Sequence, residues 1–224
     1  SDKFLPELIL DSIQPMQMMM LMALPPDSTI AMALNEDEYA KANACALEKG
    51  GAELSAFPGV KPFFIMAQWM QNELPQDRPY PLDVHLLNKA RALGLKTQAL
   101  EKLEEQLDAI QSLSLREQAL MLTRLCDETK DDNMEDLVHK YLDGDLEAFA
   151  QMMDDPLLPQ GFEEAFLTKR NHTMHQRILT YSQDVVCFFA VGAAHLSGSE
   201  GLIALLRKSG YRVEPIPFKF SGKP

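Results

Sequence analysis

The chain reads as an α/β fold: a mostly helical domain around a small mixed sheet, with a C-terminal strand, Gly-x-x-His turn, helix and strand. Three observations predict it. The run Asp184-Val185-Val186-Cys187-Phe188-Phe189-Ala190-Val191 is apolar without alternation, the pattern of a strand buried on both faces of a parallel or mixed sheet. Gly192-Ala193-Ala194-His195 follows directly, a turn with little bulk until its last, polar residue. Most of the remaining sequence carries helix start and stop signals.

The elements follow in order. Asn35-Glu36-Asp37-Glu38 has the spacing of a capped helix start, and Gly50-Gly51 ends that helix. Pro58-Gly59 marks a turn, and Pro62 suits the first position of a helix to about Glu73. A helix over 82–93 stops at Gly94, and 96–100 is a short strand candidate. Helices are expected over 101–111, over 114–128 with Ser114 and Glu117 as a capping box, near 134–142, and over 146–153 and 161–181. Ser197 and Glu200 have capping-box spacing for a helix from about Glu200 to Ser209, with Gly210 as its C-cap. Residues 211–217 alternate and read as an edge strand, because Pro215 and Pro217 cannot donate to a ladder. One domain over 1–217 and a polar tail over 218–224 account for the 224 residues.

Composition narrows the function. A hydrophobic fraction of 46% supports a sizeable core. The formal charge of −12 argues against nucleic acid and against anionic membranes. No run approaches the ~20 apolar residues of a membrane span; the stretch 8–24 is interrupted by Asp11, Gln14, Pro15 and Gln17. Cys45, Cys126 and Cys187 are widely separated and lack metal-ligand spacing, and Cys187 reads as a small core residue. Met16, Met18, Met19, Met20 and Met22 suggest packing at a core or interface, with an adaptable binding surface as the alternative. An unpaired sheet edge would make a homodimer plausible.

Several polar groups invite chemistry. His195 would stand at the carboxyl end of its strand, where ligands collect in such sheets; the alternative is a hydrogen-bonded turn residue. His172 and His175 are three apart on an expected helix and could face one metal. The acidic stretch 127–136 lacks the glycine and spacing of a calcium loop and reads as a solvated connection.

The segment from Phe189 to Ile216 resembles the C-terminal motif region of the TraB/GumN family, to which the Tiki metalloproteases are related. Further elements share the resemblance in order. Val60-Lys61-Pro62-Phe63-Phe64 is similar to the family's Leu-Lys-Pro-Trp-Phe segment, and Leu82-Asp83-Val84-His85-Leu86-Leu87 to its Asp-containing helix start. Leu100-Glu101-Lys102-Leu103-Glu104-Glu105-Gln106-Leu107 is similar to its Leu-Glu-Thr-x-Glu-Glu-Gln element, with Lys102 in place of Thr. Lys169-Arg170-Asn171-His172-Thr173-Met174 is similar to its Arg-Asn-x-x-Met element.

The resemblance implies a divalent-metal-dependent peptidase with two Gly-x-x-His motifs. His195 would be a metal ligand, with manganese, cobalt or zinc as the ion and a peptide or protein as substrate. The first motif, with its strand and following glutamate, is not found in the chain and would be expected upstream of Ser1. The resemblance also implies an extracytoplasmic or membrane-anchored parent protein. Glu101 could orient a histidine, bind metal or act as a base, or be a helix N-terminal acid. Arg170 could stabilise an oxyanion or clamp a carboxylate, or pair with an acid. Asn171 could position a water or a carbonyl, or satisfy a buried backbone group. Asp83 could be a first-turn acid alone. Two functions follow as alternatives: a metal-dependent hydrolase of the peptidase type, inactive if this fragment lacks the first motif, or a non-catalytic module that binds peptide or protein in the same cleft.

Overall fold

The computed structural model describes residues 1–217 except 10, 12, 75–77, 127–133, 154, 157 and 184. Its sheet has three strands, β1 (Lys3–Pro6), β2 (Lys96–Thr97) and β3 (Cys187–Ala190), in the order β2-β1-β3. Both pairings are parallel, with Phe4 opposite Thr97 on one side and Phe188 on the other. Parallel neighbours need long crossovers, and helices supply them. The pairing runs on beyond the strands: Leu100 N–H donates to Pro6 O at 2.8 Å, Glu101 N–H to Glu7 O at 2.9 Å and Glu7 N–H to Ala190 O at 3.2 Å. The carboxyl ends of all three strands therefore lie side by side.

The helices are α1 (Pro15–Met22), α2 (Glu36–Gly50), α3 (Pro62–Glu73), α4 (Leu82–Ala92), α5 (Leu103–Gln111), α6 (Leu115–Arg124), α7 (Met134–Asp143), α8 (Leu146–Met153), α9 (Lys169–Tyr181) and α10 (Leu202–Lys208). The mostly helical α/β expectation holds. Asn35 and Ser114 form reciprocal capping boxes with Glu38 and Glu117, and Gly51 closes α2 in the left-handed region, as their spacing predicts. A π-helical turn over Glu164–Thr168 opens the helix expected at 161–181 and runs into α9.

The apolar side chains gather in two main places. Ala42, Cys45, Ile65, Trp69, Ala119 and Leu122 centre a core among α2, α3 and α6. The sheet has its own: Leu5 and Leu100 pack with Met174, Ile178 and Leu202 on one face, and Phe4 packs with Leu87 and Ala90 on the other. Thus α9 and α10 cover one face of the central strand and α4 the other. Arg177 of α9 grips the N-terminal turn of α5 with two bonds to Glu105, at 2.6 and 2.7 Å, and one to Leu100 O at 2.6 Å.

Four expectations are corrected. The strand before His195 lies at the sheet edge, and Val186 and Phe188 are 65% and 47% exposed, so it is not buried on both faces. The central position belongs to β1, which was not foreseen. Residues 211–217 form no strand; the Arg207 guanidinium takes the Val213 carbonyl and the prolines remove two donors. The last helix starts at Leu202 with Gly201 as N-cap, because Ser197 Oγ donates to Ala194 O and the Glu200 carboxylate is held by His172 and Lys208. Among the methionines, Met16, Met19 and Met20 are largely exposed, which corrects the core part of the core-or-interface expectation and does not bear on the interface part. The acidic stretch lies partly, and the polar tail wholly, outside the described residues.

Two of the three cysteines are bonded, Cys45 of α2 to Cys126 just beyond α6, across 81 positions of sequence. Cys187 is free and half-buried, with its thiol on the Tyr181 carbonyl. In the chain-entropy account, closing a loop of that length is worth about 4 kcal/mol. Replacing Cys45 and Cys126 by serine is expected to lower the unfolding free energy by about 2–4 kcal/mol, read from urea titrations. Reductant should move the parent protein to the midpoint of the variant and leave the variant unchanged.

Hydrogen bonds from Arg177 hold the Glu105 carboxyl below its ordinary 4.5 against the opposing effect of burial. A folded pKa below the unfolded one gives stability that is complete above about pH 5 and lost as pH falls through the folded value. Glu105→Gln should therefore cost about 1 kcal/mol at pH 7 and flatten the decline in stability between about pH 5 and pH 3, measured by denaturant titration across that range.

Candidate active site

Glu7 leaves the end of β1 and Glu101 the end of the paired segment after β2, and backbone pairing sets them next to one another. Like charges so placed need a cation between them. Arg170 of α9 supplies it: Nε donates to Glu101 Oε1 at 2.9 Å, and Nη2 to Glu101 Oε2 at 2.6 Å and Glu7 Oε2 at 3.1 Å. Nη1 donates to Phe166 O in the π turn at 3.1 Å. The wide turn thus gives the guanidinium its fourth anchor, and such turns recur at functional sites. Burial opposes the charge on Arg170, but Glu101 and Glu7 outweigh it and raise its pKa. Gln106 Nε2 also donates to Oε2 of Glu101, at 3.1 Å, and Glu101 is buried.

The third strand brings His195. It is 4% exposed and lies in a short 3-10 turn after Gly192. Its Nδ1 is 2.6 Å from Asn171 Oδ1. Asn171 Nδ2 in turn donates to the Glu200 carbonyl at 2.9 Å, and since a carbonyl only accepts, this fixes Oδ1 toward the imidazole. His195 Nδ1 must then carry the proton. Burial pushes the His195 pKa down, with Arg170 reinforcing and Glu7 and Glu101 opposing. The neutral ring leaves a lone pair on Nε2, 3.8 Å from Glu7 Oε2.

Two glycines shape this corner for different reasons. Gly192 N–H donates to Glu7 Oε1 at 2.5 Å. A Cβ at Gly192 would lie 3.4 Å from Glu7 Oε1 and 3.8 Å from the His195 ring, so the glycine leaves that face of both groups open. A Cβ at Gly201 would lie 2.0 Å from the Ser197 carbonyl. Only glycine allows the tight loop that presents the Glu200 carbonyl to Asn171.

The structure thus brings together all four residues singled out in the sequence, Glu101, Arg170, Asn171 and His195, and adds Glu7. The resemblance placed the glutamate of the first half upstream of Ser1; Glu7 stands within the chain and reaches the second motif. Its signal was an acid two positions after the apolar pair Phe4-Leu5, masked by Pro6. Arg170 is an ion-pair partner of two acids, and the contacts from Glu101 toward His195 run through Arg170 and Glu7. Asp83 accepts a hydrogen bond from Val84 N–H at the start of α4 and acts there as a first-turn acid. His172 turns to Glu200 and His175 to Ser209, so they share no metal position.

A cation has two donors to meet here, neutral His195 Nε2 and the Glu7 carboxylate, with the open face of Gly192 beside them. Imidazole with carboxylate suits a borderline divalent ion. No group of three His, Cys, Asp or Glu side chains converges among the described residues, so the fit is that of two ligands rather than a complete set.

The family model for the TraB/PrgY/gumN family matches residues 1–215. The chain belongs to that family. It is similar to metalloprotease TIKI2 of Xenopus tropicalis, 30% identical over 167 residues, covering 61% of this chain and 32% of that protein. It is similar also to metalloprotease TIKI1 of Danio rerio, 30% identical over 173 residues covering 64% and 34%, and of Homo sapiens, 28% identical over 174 residues covering 64% and 34%. The chain spans about a third of the length of these relatives. No solved structure matches it.

The hydrogen-bond chain through Asn171 makes a spectroscopic claim. At pH 7, ¹⁵N shifts should show His195 neutral with the proton on Nδ1, and Asn171→Ala should lose that tautomer preference. A proton on Nε2 in the parent protein would refute the arrangement.

Proposed function

We propose that this chain carries part of the active site of a divalent-metal-dependent peptidase. The observation that supports the reading most is the buried, neutral His195, held by Asn171 with its Nε2 lone pair turned toward the Glu7 carboxylate. His195 and Glu7 are the residues that would hold the ion, with manganese, cobalt or zinc as candidates. When bound, the ion supplies Lewis-acid polarisation of the scissile carbonyl.

The remaining residues act on these two. Asn171 fixes the ring orientation and tautomer of His195, the task of a partner bonded to a ligating histidine. Arg170 holds Glu7 in place beside Glu101. Glu101 anchors Arg170, so its part is positioning rather than proton transfer. Gly192 N–H orients the far oxygen of Glu7, and its bare α-carbon leaves room for a substrate carbonyl. Membership of the family and similarity to the TIKI metalloproteases support a peptide or protein as substrate.

The test is cleavage of a quenched fluorescent peptide library with added manganese, cobalt or zinc. Metal-stimulated cleavage should vanish with chelator and with His195→Ala, fall to background in Glu7→Gln, and drop about 10- to 100-fold in Asn171→Ala. Cleavage indifferent to chelator and to His195→Ala would overturn the metal-dependent reading. Saturable peptide binding without any cleavage would favour a non-catalytic module, a reading supported by the convergence of two donors, rather than three, among the described residues.

A further inference from the structure

Helix α1 reads Pro-Met-Gln-Met-Met-Met-Leu-Met and has no buried residue, although an apolar helix ordinarily covers a core. Backbone bonds fasten it instead. Lys61 N–H donates to Met22 O at 2.8 Å, Lys61 Nζ to Leu21 O at 2.7 Å, and Leu24 N–H to Gly59 O at 2.7 Å. Met18, Leu21 and Met22 are half-buried, whereas Met16, Met19 and Met20 are 62%, 68% and 69% exposed. At positions i, i+3 and i+4, these three lie within roughly 100° of the helix circumference. The helix therefore turns one face of three thioethers to solvent.

Single exposed apolar residues are ordinary, but a contiguous cluster marks a place where something binds. The chemistry of this cluster indicates what. Five of the eight residues of α1 are methionine and none is charged. Thioether sulfur is a soft, neutral donor of the kind that selects monovalent copper, and α1 offers no carboxylate or imidazole to a harder divalent ion. Methionine is unbranched with three rotatable bonds, so sulfurs whose Cβ atoms stand about 5–6 Å apart on a helix face can close on one ion. The formal charge of −12 draws cations to the surface.

We propose that Met16, Met19 and Met20 form a surface site for monovalent copper, bound through their three sulfurs. The site shares no residue with His195 and Glu7 and does not rest on the peptidase reading. A protein partner would use the apolar area of this face, which leucine matches; a soft ion uses the sulfur, which leucine lacks. Two rival soft donors serve as controls. Cys187 is a free thiol, half-buried and bonded to the Tyr181 carbonyl. Met32 is 75% exposed, in a 3-10 turn over Ile30–Ala33 that contains no second methionine.

The test is a titration of the full chain with copper(I), kept reduced by ascorbate under argon, against the chelator bicinchoninate, with the methionine methyl resonances followed in parallel. A single ion should bind, shifting the methyl signals of Met16, Met19 and Met20 and leaving that of Met32 in place. Zinc and manganese should move none of them. Combining Met16→Leu, Met19→Leu and Met20→Leu keeps the apolar area and the helix propensity and should weaken copper binding about 100-fold. Met19→Leu by itself should weaken it about tenfold, and Cys187→Ser should bind as the parent protein does. Thermal midpoints should stay unchanged throughout, which would show that the variants fold. Methyl signals that do not move, a triple variant that binds as tightly as the parent, or binding lost in Cys187→Ser would each overturn the site; the first would leave the face to an apolar partner.

Discussion

Two carboxylates at the ends of neighbouring parallel strands, bound by a single guanidinium, set the terms for the rest of the molecule. The β1 to β2 pairing runs on until Glu101 N–H meets the Glu7 carbonyl, which places the side chains of both acids in one confined space. A buried charge without a partner costs several kcal/mol, so Arg170 is a condition of the arrangement. It in turn fixes where α9 lies, because the same helix must bring Arg170 to the acids, Asn171 to His195 and Met174 and Ile178 to the sheet core. Two adjacent tasks of the site and the packing of one sheet face are thus met by a single helical register.

This coupling explains how a mostly helical chain supports a site with so little sheet. Three short strands are enough because each delivers its functional residue just past its end: Glu7 after β1, Glu101 after β2, and Gly192 with His195 after β3. The core around the disulfide is elsewhere, among α2, α3 and α6. The one part contributes stability and the other geometry.

Local signals were legible in the sequence where they are chemically self-contained. The Asn35 and Ser114 capping boxes, the left-handed glycine after α2 and the whole of α8 follow from neighbouring residues alone. His195 was legible because small residues isolate it after an apolar run. Long-range partners were not. Nothing near Lys3-Phe4-Leu5-Pro6 marks a central strand, since it is four residues long and ends in a residue that weakens strand predictions; its position depends on β2 and β3, each more than 90 residues away. Glu7 was missed for the same reason. The Cys45 to Cys126 bond likewise spans a separation over which spacing carries no information. The strand expected at 211–217 failed in the opposite sense, because alternation was present but the Val213 carbonyl found a partner in Arg207.

Gly201 has a consequence for anyone who would redesign the site. Its backbone angles are ones that any residue could adopt, so a survey of conformations would mark the position as freely variable. The obstacle is the Ser197 carbonyl, which occupies the place of a side chain. That loop holds Asn171, and through it the proton on His195. A combinatorial library that treats 201 as neutral ground would thus discard most of its members for a reason remote from any residue it meant to change.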